Sequence, residues 1–140
     1  MGIFLDKIEQ KSEFSLMSEP IISAVLLSAL IQVESGGNPR AHNKVEDAAG
    51  VLQIRRIFVD DLNRIYRPPY YTYKDRWDSA KSKEMATKYL VHYGTMRRLG
   101  RKPTQEDFAR IFNGGPNGWK KDSTKKYWVK VEKELKQLGK

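Results

Sequence analysis

The apolar residues of this chain recur at helical spacing and predict a first helix. Residues three or four positions apart lie on one helix face, and this spacing connects Ile22, Leu26, Ala29, Leu30 and Val33. Ser18 is placed to cap the helix, with Pro20 in its first turn. Gly36 and Gly37 predict its end.

The same pattern predicts two more helices in the middle of the chain. After a loop over Arg40–Ala49, a second helix opens around Gln53, and its apolar positions are Ile54, Phe58, Leu62 and Ile65. A third helix is predicted from about Ser79 to Met96. The segment Tyr70–Tyr73 between them is predicted as a short strand.

Two further helices complete the predicted fold. Thr104 with Asp107 resembles a capping box and opens a short helix, and a last helix is predicted from about Ser123 to Leu138. Alternation of period two is not convincing anywhere, so we predict an all-α, mainly helical, compact single domain of about five or six helices over residues 1–140. Residues 1–17 are assigned to an N-terminal extension and residues 119–140 to a basic C-terminal helix.

Composition narrows the classes of function. The chain has no cysteine, which excludes disulfides, thiol nucleophiles and thiolate metal sites. Its net charge of +9 favours a polyanionic partner such as nucleic acid, an anionic membrane surface or a bacterial cell wall, or else serves solubility alone. The first residues do not resemble a signal peptide, and the apolar run Ile21–Val33 is too short to span a membrane.

Glu34 is the first candidate for chemistry. It shares a helix face with Leu27, Leu30 and Ile31, and burial raises the pKa of a carboxyl group because it disfavours the charged form. The helix dipole acts in the same direction, since Glu34 lies in the last turn. A carboxyl group that stays protonated near neutral pH is suited to general acid catalysis. The alternative is an ordinary solvated glutamate at the helix edge.

Other polar and aromatic residues have both a functional and a structural interpretation. Gln53 lies among apolar neighbours and is either a polar group lining a pocket or a surface residue. Asn113 precedes two glycines that allow close approach of a ligand, or it ends a helix. Tyr71 belongs to an aromatic loop that stacks on sugar rings or packs at a rim.

Several kinds of active site are excluded by the motifs. The chain has two histidines, His42 and His92, without the H-E-x-x-H spacing of zinc proteases. It contains no G-x-S-x-G sequence and no phosphate-binding loop. We therefore predict no metal site and no cofactor, and we interpret His42 as a solvated loop residue.

The motifs A-L-I-Q-V-E-S-G-G-N-P-R-A, G-V-L-Q and A-R-I-F-N-G-G-P together resemble the soluble lytic transglycosylase domain, a lysozyme-like fold. The resemblance covers roughly Pro20 to Trp119. It implies that Glu34 is the catalytic acid and base, and that Ser35, Gln53 and Asn113 contact the sugar or hold the site. Phe112 stands where the family has tyrosine, so a hydroxyl group expected near the glutamate is missing.

The resemblance implies cleavage of the bond between N-acetylmuramic acid and N-acetylglucosamine, with a 1,6-anhydro product. Asp47 is the nearest candidate for a second carboxylate, which would instead give the water-dependent reaction of a muramidase. A catalytically inactive wall-binding or structural module, and a DNA-binding helical domain, are further alternatives.

The expected partners follow from the same resemblance. They are peptidoglycan glycan strands, bound by a monomer whose basic face meets the anionic wall, and we expect no specific nucleic acid. Because no signal peptide is recognised, we expect delivery to the wall by a phage, by lysis or by a secretion apparatus.

Overall fold

The computed structural model describes residues 21–68 and 70–139, and these residues form six α-helices around a short hairpin. The helices are α1 Ala24–Ser35, α2 Arg56–Ile65, α3 Ser79–Tyr93, α4 Met96–Leu99, α5 Gln105–Gly114 and α6 Lys125–Leu138. The strands are β1 His42–Asn43 and β2 Ala48–Ala49. Single 3-10 turns cover Tyr73–Trp77, Gly118–Lys120 and Asp122–Thr124. The predicted all-α class is confirmed, with one small two-stranded sheet added.

Helix α1 begins later than its sequence pattern predicts. Its N-cap is Ser23, whose Oγ accepts a hydrogen bond of 3.0 Å from the Leu26 backbone N–H, and residues 21–23 are not helical. The proposed cap Ser18 and the extension 1–17 lie outside the described residues. The predicted end is confirmed, because Gly36 adopts a left-handed φ of 64° and its N–H bonds to the Gln32 carbonyl.

The loop predicted over Arg40–Ala49 contains an antiparallel hairpin instead. His42 pairs with Ala49 and Asn43 with Ala48, and strands of two residues are too short to show alternation. Gln53 does not open the second helix; it lies in a turn with φ of 50°, and α2 begins three residues later. The predicted strand Tyr70–Tyr73 is wrong, because that segment leads into a 3-10 turn.

The predicted helix from Ser79 to Met96 is two helices. The first of them ends at Gly94, where an added Cβ would lie 2.5 Å from the Phe108 ring. Thr95 then caps the N-terminus of α4. The capping box at Thr104 and Asp107 is confirmed, with both of its reciprocal hydrogen bonds present.

One hydrophobic core connects all the longer helices. Leu30, Leu62, Leu90 and Ile111 are each fully buried, one from each of α1, α2, α3 and α5, and Val131 adds α6. Because α6 packs along α1 and α5, it brings its own side chains to the C-terminal end of α1. In the described part of the chain, no helix combines the length and the apolar character needed to cross a membrane.

Candidate active site

A cleft of about 770 Å³ opens between the hairpin, the exposed face of α2 and the end of α5. Its lining includes Glu34, Gln53, Phe112 and Asn113. Four residues that the sequence singled out as site candidates therefore meet in one cleft, although they come from distant parts of the chain.

Glu34 occupies the last turn of α1 and carries an unusual pKa. Removal from water raises the pKa of its carboxyl group from the ordinary 4.5 to about 7. The Tyr127 hydroxyl and the positive charges of Arg55 and Lys130 lower that pKa, while the negative charge of Glu46 raises it. Desolvation exceeds the opposing effects, so a substantial fraction of Glu34 stays protonated near neutral pH.

Tyr127 is the hydrogen-bond partner of Glu34 and is not among the residues predicted for the site. Its hydroxyl donates a hydrogen bond of 2.7 Å to Glu34 Oε2 across 93 positions of sequence. Burial and the neighbouring carboxylate raise the pKa of Tyr127, so its hydroxyl remains a donor. A hydroxyl group carried by α6 therefore lies beside Glu34. The signal available in the sequence was a tyrosine on the inner face of the last helix, which equally predicts core packing.

Gln53 reaches the cleft from a strained turn. Its side-chain amide donates hydrogen bonds of 2.9 Å to the Ala41 carbonyl and 3.0 Å to the Gly50 carbonyl. Those two bonds fix the turn that follows β2, and a non-glycine residue at φ of 50° needs such support.

Asn113 and Phe112 form the opposite side of the cleft. Asn113 is exposed in the last turn of α5, and Gly114, Gly115 and Pro116 continue the lining. Phe112 is partly buried, with its ring edge on Phe58 at 5.7 Å between centroids. The site therefore combines an exposed amide with an apolar wall.

Ser35 and Tyr71 are placed outside the cleft lining. The Ser35 hydroxyl donates to the Val51 carbonyl at 2.7 Å and accepts from the Gly37 N–H at 3.1 Å, which joins the end of α1 to the turn after β2. Tyr71 is 6% exposed and its hydroxyl donates to Glu84. Both hydroxyl groups have structural partners, so this placement gives no support to sugar binding by Tyr71.

The second carboxylate near Glu34 is Glu46, the neighbour of the predicted Asp47. The Asp47 side chain accepts from His42 at 2.9 Å and from Arg56 at 2.6 Å, and these bonds lower its pKa to about 2. His42 is therefore paired and not simply solvated. Glu46 lines the cleft and forms an ion pair of 2.7 Å with Arg55.

The basic C-terminal segment is only partly a free surface. Lys126, Lys130 and Lys133 are exposed along α6, whereas the Lys121 ammonium donates to the Gly114 carbonyl at 2.7 Å beside the cleft. Among the described residues, no cluster of three or more histidine and acidic side chains is arranged to hold a metal ion.

Comparison with known proteins places the chain in a family. Residues 13–134 match the model of the transglycosylase SLT domain. Lysozyme 1 of Crassostrea virginica is 31% identical over 127 residues, which cover 89% of this chain and 66% of that protein. The lysozyme of Magallana gigas is 30% identical, with 83% of this chain and 82% of that protein covered.

Solved structures agree on the fold. The lysozyme of Meretrix lusoria, in complex with Aeromonas hydrophila PliI, superimposes with a TM-score of 0.67 at 28% identity over 80% of this chain and 89% of that one. Tapes japonica lysozyme gives 0.66 at 26% identity over 79% of this chain and 89% of that one. These relatives support a lysozyme-like glycosidase that acts on peptidoglycan.

Proposed function

The chain belongs to the transglycosylase SLT domain family, and we propose that it is a lytic transglycosylase whose single catalytic acid and base is Glu34. The observation that carries the proposal is the half-buried Glu34 carboxyl group, held in the cleft by Tyr127 with its pKa raised to about 7. A carboxyl group with that pKa both donates and accepts a proton near neutral pH.

The proposed reaction uses Glu34 twice. The protonated carboxyl group donates its proton to the oxygen between N-acetylmuramic acid and N-acetylglucosamine, and the bond from C1 to that oxygen breaks. The substrate's N-acetyl group stabilises the positive charge that develops at C1. The Glu34 carboxylate then accepts the proton of the muramic acid 6-hydroxyl while the oxygen of that hydroxyl attacks C1 of the same sugar. This step forms the 1,6-anhydro ring and restores the protonated Glu34.

The Tyr127 hydrogen bond assists the first half of this cycle, in which Glu34 gives up its proton. It stabilises the carboxylate form, because the hydroxyl donates to Oε2. Desolvation favours the acid form and the hydroxyl favours the base form, so the two effects place the pKa between the values of a solvated and a fully buried carboxyl group.

A muramidase reaction is the second candidate, and the position of Glu46 favours it. Glu46 lines the same cleft and its charge acts on Glu34, so it is a candidate base for activating water. Its ion pair of 2.7 Å with Arg55 occupies one of its oxygens. Asp47 does not fit this role, since His42, Arg56 and Arg76 engage both of its oxygens.

The exposed lysines of α6 support a proposed accessory contact with the anionic cell wall. Lys126, Lys130 and Lys133 lie on the helix that carries Tyr127. The positive electrostatic field of these lysines raises the local concentration of a polyanion, and the attraction weakens as the salt concentration rises.

Mass spectrometry of digested peptidoglycan tests the proposal. We expect anhydro-muropeptides from the wild type and none from Glu34→Gln. Reducing-end products that disappear in Glu46→Gln would establish the muramidase reaction instead. Glu134→Gln, on α6 and outside the cleft lining, is the matched control and should behave as wild type. Wall sedimentation without products would indicate a non-catalytic binding module.

A further inference from the structure

The cleft continues along α2, well beyond the catalytic carboxyl group. Arg55 is the N-cap of α2 and acts on Glu34 through its charge, and Arg64 lines the same cleft one residue before the helix ends. These two positions are nine residues apart in sequence, which corresponds to about 13 Å along a helix axis. Arg64 therefore meets a part of the substrate other than the scissile bond.

The Arg64 side chain is held in place by polar contacts. Its Nε and one terminal nitrogen donate to Asp61 Oδ1 at 3.1 and 2.8 Å, and that nitrogen also lies 3.3 Å from the Tyr93 hydroxyl. Tyr93 in turn donates to Asp61 Oδ2 at 2.5 Å. Both oxygens of Asp61 are thus engaged by protein donors, and the guanidinium group is oriented before any ligand arrives.

Part of the Arg64 guanidinium remains open to a ligand. Its side chain is 63% exposed, and Nη1 has no hydrogen-bond acceptor among residues 21–68 and 70–139. Neighbouring Asp60 has its Oδ1 occupied by the Tyr73 hydroxyl at 2.7 Å. An exposed pair between residues three apart contributes little to stability, so folding alone does not account for this ordered cation in the cleft.

We propose that Arg64 is a specificity residue that binds a carboxylate of the peptide substituent on the glycan strand. A guanidinium group recognises carboxylates by directional, charge-assisted hydrogen bonds. The N-acetylated sugar rings are uncharged, and the lactyl carboxyl group of a peptide-bearing muramic acid is an uncharged amide, so an anionic group at this distance from Glu34 belongs to the peptide itself. This inference rests on the proposed function, because it assigns the substrate part that the far end of the same cleft contacts.

A binding experiment separates this subsite from catalysis. The probes are the disaccharide N-acetylglucosamine–N-acetylmuramic acid with its stem peptide and the same disaccharide with its lactyl carboxyl group capped as the uncharged methylamide. Neither contains the bond that the enzyme is proposed to cleave, so calorimetric titration into the wild-type protein measures binding alone. We expect the peptide-bearing probe to bind about tenfold more tightly, the effect of one charge-assisted hydrogen bond at an exposed site.

Variants of Arg64 test whether this residue causes the preference for the peptide-bearing probe. Arg64→Ala should reduce the affinity ratio of the two probes to about one, and Arg64→Lys should restore part of it, because the charge remains without the planar fork. Arg97→Ala is the matched control, since Arg97 is exposed and lies outside the cleft lining. Partial unfolding of a variant lowers the apparent affinity for both probes equally and leaves their ratio unchanged.

Three outcomes would overturn the assignment. They are equal affinity of the wild type for both probes, an unchanged ratio in Arg64→Ala, and no binding of either probe at millimolar concentration. Digestion of whole cell walls by the same preparations judges the proposed function independently. Cleavage of walls together with equal affinity for the two probes would reject the Arg64 subsite while the glycosidase assignment stands.

Discussion

Replacing Glu34 with glutamine should stabilise the folded protein, and the gain should depend on pH. Burial opposes the ionised form of Glu34 and raises its pKa from 4.5 to about 7. Below pH 4.5 the carboxyl group is mostly protonated in both the folded and the unfolded chain, so its ionisation does not change the free energy of unfolding. As the pH rises to about 7, the unfolded chain ionises freely and the folded chain does not, so stability is lost.

The magnitude follows from the two pKa values. Each pKa unit corresponds to 1.36 kcal/mol, so a rise from 4.5 to about 7 corresponds to about 3 kcal/mol. Glutamine has nearly the same shape, does not ionise and can still accept the Tyr127 hydrogen bond. Glu34→Gln should therefore match the wild type near pH 4 and exceed its stability by about 3 kcal/mol at pH 8.

Urea unfolding at pH 4 and pH 8 measures this difference directly. Glu134→Gln removes one negative charge from α6 outside the cleft, so it controls for the general effect of charge in a chain of net charge +9. A stability gain of the same size at both pH values would refute the argument from desolvation. So would a Glu34→Gln protein that is less stable than the wild type at pH 8.

Two further predictions concern Tyr127, the hydrogen-bond partner of Glu34, and Gly50, in the turn after β2. Tyr127→Phe removes a donor that lowers the pKa of Glu34. The loss of activity at alkaline pH, which we expect near pH 7 in the wild type, should therefore move up by about one pH unit. The control is the exposed Tyr70→Phe, and an unchanged pH–rate profile in Tyr127→Phe would contradict the prediction. Gly50→Ala should destabilise the fold by more than about 2 kcal/mol, because the new Cβ would lie 1.8 Å from the Arg76 carbonyl oxygen at φ of 81°. Gly100→Ala has a similar φ of 77° and no atom within 4 Å, so equal losses in thermal unfolding would show that backbone strain alone is responsible.

The sequence predicts those features of the site that depend on local spacing. The position of Glu34 on an apolar face near two glycines predicts both the helix end and the raised pKa, and the structure gives the same direction. The motifs around Gln53 and Asn113 likewise indicate two sides of the cleft, because Gln53 lies in the turn just before α2 and Asn113 lies in the last turn of α5.

The features that the sequence does not predict depend on contacts between distant segments. Tyr127 contacts Glu34 across 93 positions, and no local pattern distinguishes it from a core residue. Glu46 and Asp47 are adjacent, so the choice between them depends on the hairpin, where Asp47 adopts a φ of 50° and binds Arg56 and His42. Strands of two residues carry too few positions to reveal that hairpin in advance.

The hydrogen bond between Tyr127 and Glu34 also has a consequence for biosynthesis. The two residues are separated by 93 positions, so a ribosome must translate the α6 region before the acid and its partner can meet. A nascent chain that has folded only as far as α5 holds Glu34 without its hydroxyl donor and without the helix that covers it. The contact between Glu34 and its hydroxyl donor therefore forms only after helices α1 to α5 have been made.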